Sequence, residues 1–429
     1  MEQFNIALLG YGTVGTGVYS VLRDNHSDIQ HRENLNIQVR KIFVRDKARA
    51  ISRLAAPEAL FTGSIEAVLS DPDIHIVVEC MGGVEPARSY ILAALKAGKT
   101  VVTANKEVIS KHWFEFEEAA KDTGAGLYFE GTVGGGIPIL RAITDSMQAN
   151  NITRVMGIIN GTTNYILSRM EEEGVSFEEA LSEAQRLGYA EADPTADVEG
   201  YDAMYKLSIL SSMAFHAHMP IEVIQREGIS KLSSADFEAA KLLGYRIKLL
   251  AIGKKTGREI EARVHPTMLP IKHPLAAVGG VFNAVQITGS AVEDVMLYGR
   301  GAGRFPTASA VVSDIVYACH AAGRHRYMTF QNGRNISEEI ELVSDFSSIY
   351  CVRLCVLDRP GTLAAVAAVF AQNDVSLREV LQLNRSEGEC AHITFVTHQA
   401  REVSVQKALQ TIEALPSVRA VESVIRAEE

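Results

Sequence analysis

Phe4-Asn5-Ile6-Ala7-Leu8-Leu9-Gly10-Tyr11-Gly12-Thr13-Val14-Gly15 joins an apolar, strand-like run to a G-x-G-x-x-G turn that opens a helix. In a dinucleotide site each glycine has a steric task. Gly10 allows the tight turn, Gly12 lets the backbone approach a pyrophosphate, and Gly15 lets helix and strand pack closely. Backbone N–H groups of Thr13 and Val14 then lie at a helix N-terminus, where they meet an anion. Gly-rich turns recur in many proteins, so the six residues alone carry little. Their place directly after a strand, at the head of a βαβ unit, makes them informative.

Outward from that turn, FNIALLG, IQVRKIFV, IHIVVEC, KTVVT and AGLYFE are short, mostly continuous apolar runs rich in β-branched residues. Such runs, separated by helices, indicate a parallel sheet covered on both faces. The intervening stretches have helical spacing, as in Ala87, Ile91, Leu92 and Leu95. A Rossmann-type doubly wound α/β domain is expected. The second run ends at Val44, where an NAD enzyme places an acid for the ribose 2′-hydroxyl. Arg45 stands there instead, with Lys47 close by. Cations at that point suit a 2′-phosphate, so NADP is expected, with NAD possible. Asp46 between them weakens the argument, and solvated surface charges are the plain alternative.

The chain has 429 residues, which suggests two or three domains. Hydrophobic residues make up 47% and charged residues 22%, the balance of a globular protein. No apolar run approaches the roughly 20 residues needed to span a bilayer, and MEQFNIALLG reads as a first strand rather than a signal. A net charge of −10, from 42 basic and 52 acidic residues, argues against a nucleic-acid partner. The five cysteines are odd in number and lack a metal-ligand spacing, which implies packed thiols in a reducing compartment, the cytoplasm.

After Glu130 the texture changes. GTVGGGIP leads into a helix from about Pro138, then come a strand ITRVMGIIN, several helices to about Phe215, and the strand-like runs RIKLLAIG, EIEARV, VFNAVQIT and AVEDVMLYG. These suggest an α+β substrate and dimerisation domain with an open mixed sheet. GAGRFPTASAVVSDIVYACHAAG reads as one more helix behind a Gly-rich turn. Residues 324–346 are polar and aperiodic, as in a linker. The remainder orders as βαββαβ, a ferredoxin-like module. The expected domains are therefore 1–132, completed by about 303–323; 133–323; the linker; and 347–429.

Two stretches carry candidate chemistry. Val102-Thr103-Ala104-Asn105-Lys106 ends a parallel strand, and ligands of open α/β sheets sit outside strand C-termini. Lys106 is therefore aimed at the nicotinamide end of a cleft, unless it is a surface lysine. Gly188-Tyr189-Ala190-Glu191-Ala192-Asp193-Pro194-Thr195-Ala196-Asp197 is the densest polar stretch, followed by Glu199, Asp202 and Lys206. Asp202 and Lys206 stand four apart on an otherwise apolar helix, so they share a face and require partners. One reading is a structural ion pair; the other is a lysine positioned by carboxylates for acid/base work on a carbonyl, its ammonium made more acidic than the free side chain. His216-Ala217-His218 suggests a metal site, yet at an apolar helix end it reads as core and cap.

GYGTVGTGV, TANKE, EGTVGGGIPI, NGTTNYIL, GYAEADPTADVEGYDAMYKL and GRGAGRFPTASAV, in this order, closely resemble homoserine dehydrogenases over about residues 4–323, and the C-terminal module resembles an ACT domain, a small amino-acid sensor. No aspartate kinase precedes the dehydrogenase, so the resemblance is to the long monofunctional form. It implies interconversion of aspartate 4-semialdehyde and homoserine with NAD(P)H. It implies that Glu191 holds the substrate amino group with support from Asp197 and Asp202. Lys206 is the implied acid/base residue; Lys106 is implied to lie beside the substrate hydroxyl and the nicotinamide, and shares the proton-transfer role as an alternative. Gly303 is implied to contact the cofactor, and a sodium ion to sit on backbone oxygens of Glu130, Val133, Gly135 and Ile137, where the alternative is a turn needing no ion. By the same resemblance threonine is the effector, sought near Asp358-Arg359-Pro360-Gly361 and residues Asn373 to Ser376, and the chain forms a homodimer or homotetramer. The alternatives are a module that only oligomerises, another amino-acid or semialdehyde dehydrogenase, and a catalytically silent amino-acid sensor.

Overall fold

The computed structural model describes residues 2–51, 56–321, 340–387 and 390–429. Its strands, in chain order, are β1 Glu2–Leu9, β2 Leu35–Phe43, β3 Phe61–Thr62, β4 Ile76–Glu79, β5 Thr100–Thr103, β6 Leu127–Tyr128, β7 Ile152–Ile158, β8 Gln225–Arg226, β9 Tyr245–Thr256, β10 Glu259–Pro270, β11 Phe282–Gly289, β12 Glu293–Arg300, β13 Glu341–Leu342, β14 Ser347–Leu357, β15 Leu377–Glu387, β16 Cys390–Thr397, β17 Ala400–Arg401 and β18 Val418–Ala427. The chain divides into two compact units, one of residues 1–155, 205–222 and 282–340, the other of 156–204, 223–281 and 341–429.

In the first unit, six strands form a parallel sheet in the order β3-β2-β1-β4-β5-β6, the strand order of a Rossmann domain. Ile6, Ala7, Leu8 and Leu9 of β1 are all fully buried, because helices cover both faces of a central parallel strand. The order reverses between β1 and β4, which opens a crevice at their C-terminal ends. β3 has only two residues, too short for a periodicity to announce it. The helix Arg304–Ala321 returns to pack on the helix Thr13–Asp24. A methyl group on Gly17 would meet Arg304 O at 2.6 Å and Ala308 Cβ at 3.0 Å, so that crossing needs a residue without a side chain. β11 and β12 form an antiparallel hairpin in the same unit.

In the second unit the sheet is mixed. β9 and β10 form a long antiparallel hairpin, and β10 accepts β8, β13 and β18 in parallel. The C-terminal module follows as β18-β14-β16-β15 with the helices Thr362–Gln372 and Glu402–Glu413 on one face, the ferredoxin-like order. Its core is Tyr350, Val352, Leu354, Val356, Phe370, Phe395 and their neighbours. The module's sheet is continuous with the β9–β10 hairpin: Thr267 and Met268 pair with Arg426 and Ala427. Of the expected linker 324–346, residues 324–339 lie outside the described ones, and Glu341–Leu342 pair along β10.

Candidate active site

The switch-point crevice is a cleft of about 350 Å³ lined in part by Gly10, Tyr11, Gly12, Val44, Arg45, Met81 and Gly82. Gly10 has φ +100°, and a side chain there would press on Cys80 O at 2.9 Å. A Cβ on Gly15 would collide with Gly10 O, whereas nothing stands within 4 Å of one on Gly12. Gly12 is thus the open approach and Gly10 and Gly15 the steric necessities. Thr13 and Val14 begin the helix Thr13–Asp24, whose N-cap is Gly12. Arg45 is exposed on the cleft wall. Lys47 is not in the lining and stands 3.8 Å from Glu58.

Glu79, at the end of β4, escaped the reading of the sequence although it is fully buried. Its carboxyl accepts Thr103 Oγ1 at 2.6 Å and the N–H groups of Met81 and Gly82 at 2.7 and 3.3 Å, which shapes the cleft floor. Burial pushes its pKa up, against those donors. The signal was available: an acid ending the apolar run IHIVVE. Asn105 caps the helix Lys106–Thr123, accepting Val108 N–H at 3.2 Å, and its amide donates to Gly83 O at 2.7 Å. Lys106 is thereby placed, half-buried, at the first position of that helix. The same helix meets the stretch that carries Lys206: Lys111 Nζ lies 5.2 Å from the Tyr205 ring centre, and Phe114 packs on His218 at 4.5 Å. Lys206 itself is 7% exposed in the helix Tyr201–Phe215. His216 is exposed at φ +54° and His218 is half-buried against Phe114.

In the second unit, Asn160 is the organiser. It caps the helix Gly161–Glu173, accepting Thr163 N–H at 2.8 Å. Its Nδ2 donates to Asp197 Oδ1 at 2.7 Å and Asp202 Oδ2 at 2.9 Å, so one amide holds both carboxylates. Asp202 is buried and Asp197 half-buried. Glu191 is exposed in the turn after the helix Phe177–Arg186, a turn held by Gln185 Nε2 on Glu191 O at 3.1 Å.

The turn from Glu130 to Ile137 is buried at Glu130, Val133, Gly135 and Ile137, and Gly134 and Gly135 take φ +72° and +55°. The Glu130 carboxyl accepts Leu140 N–H and Arg141 N–H at 3.0 and 2.9 Å. Burial, with Asp314 adding to it, pushes that carboxyl up to about 8. Gly136 N–H donates to Arg300 O at 3.1 Å, bringing the turn to the segment that carries Gly303, which has φ +120° and precedes the helix Arg304–Ala321. In the C-terminal module, Asp358 to Gly361 are exposed before the helix Thr362–Gln372, and His398 N–H donates to Ser376 O.

The crevice, its glycine turn and the appended ferredoxin-like module define a dinucleotide-binding protein of the Rossmann class with a small regulatory-type domain. Residues 10–130 match the family described as "Homoserine dehydrogenase, NAD binding domain", 138–316 "Homoserine dehydrogenase" and 352–417 "ACT domain". The chain is 44% identical to a homoserine dehydrogenase of Corynebacterium glutamicum, covering 99% of this chain and 95% of that one. The solved homoserine dehydrogenase of Thiobacillus denitrificans superposes with a TM-score of 0.93 at 41% identity, over 100% and 99% of the two chains. A hyperthermophilic archaeal homoserine dehydrogenase in complex with NADPH matches 76% of this chain and 100% of its own at 28% identity, with a TM-score of 0.65. The chain belongs to the homoserine dehydrogenase family, in the form with a C-terminal ACT domain. Among the described residues no helix is long and apolar enough to cross a membrane.

Proposed function

We propose that this chain interconverts L-homoserine and L-aspartate 4-semialdehyde, with NADP preferred over NAD. The observation that carries the reading is the glycine-floored crevice with Arg45 on its wall, in a chain matching this family from end to end. Gly10, Gly12, Thr13, Val14 and Gly15 seat the pyrophosphate; Arg45, helped by Lys47, takes the 2′-phosphate; Lys106 and Gly303 close on the cofactor. A nicotinamide bound there would supply the hydride for the aldehyde carbon, or take it up in the reverse direction. Charge builds on the substrate oxygen, and Lys206 stabilises it as an ammonium and donates the proton; Lys106 is the alternative donor. Glu191 holds the substrate amino group, and Asp197 and Asp202 support the site.

The proposed sodium ligands are the carbonyl oxygens of Glu130, Val133, Gly135 and Ile137. The turn fits a hard cation, which takes oxygen donors. Glu130 O and Ile137 O each accept one backbone N–H, from Val133 and Ile139, which leaves each a second lone pair. Threonine is the proposed effector, acting at the ACT domain. The proposed domains are 1–132 with 303–323, 133–323, the linker 324–346 and 347–429, and the proposed compartment is the cytoplasm. A homodimer or homotetramer is supported by the exposed Met296 and Tyr298 on β12.

Homoserine-dependent reduction of NADP and NAD by the purified chain, with and without threonine, tests the activity, the cofactor preference and the effector. Strong NADP reduction suppressed by threonine supports the enzyme, the cofactor preference and the sensor. Activity indifferent to threonine keeps the enzyme and removes that effector. No reduction with either cofactor, by folded protein, rejects the reading in favour of a silent sensor or a dehydrogenase of another substrate.

A further inference from the structure

The face of the C-terminal sheet opposite its two helices carries a cluster with no part in the chemistry above. Antiparallel pairing of β14 and β16 sets Cys355 opposite His392 and Leu357 opposite Cys390. Residues two apart on a strand share a face, so Cys390 and His392 both stand beside Cys355. Cys390, opposite Leu357, stands diagonal to Cys355 across the strand pair. On the other side, β18 pairs Ser423 with Arg353 and Val421 with Leu354, leaving Glu422 as the extra residue of a bulge. A bulge re-aims a side chain, and here it turns Glu422 onto the cluster. Ligand atoms of Cys355, His392 and Glu422 all lie within 4.8 Å of one another, the one such grouping among the described residues.

We propose that Cys355, Cys390, His392 and Glu422 form a binding site for a borderline-soft divalent metal ion, of which zinc is the natural occupant. The donor set is the argument: two thiols, one imidazole and one carboxylate match zinc, whereas calcium and magnesium take oxygen alone. Metal–ligand bonds of about 2.0–2.3 Å place tetrahedral ligand atoms about 3.3–3.8 Å apart, so Cys355, His392 and Glu422 have to contract by roughly 1 Å, and Cys390, which lies outside that grouping, has to swing in as the fourth ligand. All four residues are half-buried, which leaves an entry path and room for that movement. Arg353 Nη1 donates to Glu422 Oε2 at 2.6 Å and keeps the carboxylate oriented, while His392 Nδ1 lies 3.0 Å from Oε1 and 3.1 Å from Oε2. Without a metal, burial and the neighbouring Cys390 push the Cys355 thiol up to about 11, so binding releases protons.

The test is a cobalt(II) titration of the full-length, reduced, metal-free protein. The expected result is one equivalent bound, with a thiolate-to-cobalt charge-transfer band in the near ultraviolet that zinc bleaches. Cys355→Ser and His392→Ala should each weaken binding by about 100-fold or more, beyond the 10- to 100-fold loss typical of outer-shell changes. Cys390→Ser, near the end of its hairpin strand, serves where the other variants fold poorly, and homoserine-dependent NADP reduction reports that the chain is intact. Absence of the band in the parent protein at equimolar cobalt, or an undiminished band in the folded Cys355→Ser/Cys390→Ser protein, overturns the proposal.

Discussion

Asp314 Oδ2 accepts the backbone N–H of Glu130 at 2.8 Å, a contact between residues 184 positions apart. The second Asp314 oxygen takes Arg141 Nη2 at 2.5 Å. One buried carboxyl thus fastens the Gly-rich turn, and the short helix behind it, to the helix that returns onto the dinucleotide-binding sheet. Burial raises the Asp314 pKa to about 6 despite Arg141, so the ion pair is held against a desolvation cost.

Asp314→Ala should therefore be severe. It leaves the Arg141 guanidinium without its closest acid and the Glu130 N–H without an acceptor, and breaking a buried pair costs about 3–5 kcal/mol. The expected fall in melting temperature is roughly 6–20 °C. Asp314→Asn, which keeps an oxygen for the Glu130 N–H, should lose less. Equal melting of both variants and the parent would show that this anchor carries no stability.

Lys206→Ala should lower the turnover of homoserine by roughly 100- to 10,000-fold, the range for loss of a proton-transfer group. NADPH affinity, followed by its fluorescence, should stay within about twofold of the parent, because the seat proposed for the pyrophosphate is made of backbone N–H groups near Gly12. Parallel loss of cofactor binding would move Lys206 out of the acid/base role.

Removing Arg45, the cation proposed to meet the 2′-phosphate, should change cofactor choice rather than chemistry. Arg45→Ala is expected to raise the KM for NADP by about tenfold or more, equivalent to about 1.4 kcal/mol, with little change for NAD. Equal effects on both cofactors would mean that Arg45 does not meet the 2′-phosphate.

Asn160→Leu removes the amide that holds Asp197 and Asp202, and with it the hydrogen bonds donated to both carboxylates. The expectation is a higher KM for homoserine with the KM for NADP unchanged, and a stability loss of about 1–3 kcal/mol for the unsatisfied groups. Unchanged homoserine kinetics in a folded variant would argue that this pair of acids lies outside the substrate site.

His265 should make stability depend on pH. It is fully buried beside Arg263 and Arg426, and burial first, then those charges, hold its pKa well below 6.5. The folded state keeps it neutral while the unfolded chain protonates it, so its contribution is present above about pH 6.5 and is lost as pH falls, by up to about 1.4 kcal/mol per pH unit. The raised Glu130 and Asp314 carboxyls act in the opposite sense, so the check is the difference between the two proteins: from pH 8 to pH 5 the melting temperature of the parent should fall relative to that of His265→Gln. An unchanged slope in the variant would assign the acid sensitivity elsewhere.

The parallel sheet, the glycine turn at its switch point and the βαββαβ module were legible in the amino acids themselves. Their signals are local: continuous apolar runs, helical spacing and a motif within six residues, each written by the backbone's own periodicity. The two-residue β3 was not, since two residues have no period. Nor were Glu79, Asn160 and Asp314 visible as organisers, because each looks like a single polar residue beside an apolar run until chain remote in sequence is brought against it. The same holds for the joining of β18 to β10 and for the gathering of Cys355, Cys390, His392 and Glu422. Register between strands and the bulge at Glu422 decide which side chains meet. Hydrogen bonds and metal coordination act over a few ångströms, so only the folded chain determines which polar groups find partners, whereas burial of apolar surface needs no particular partner and can be read from pattern alone.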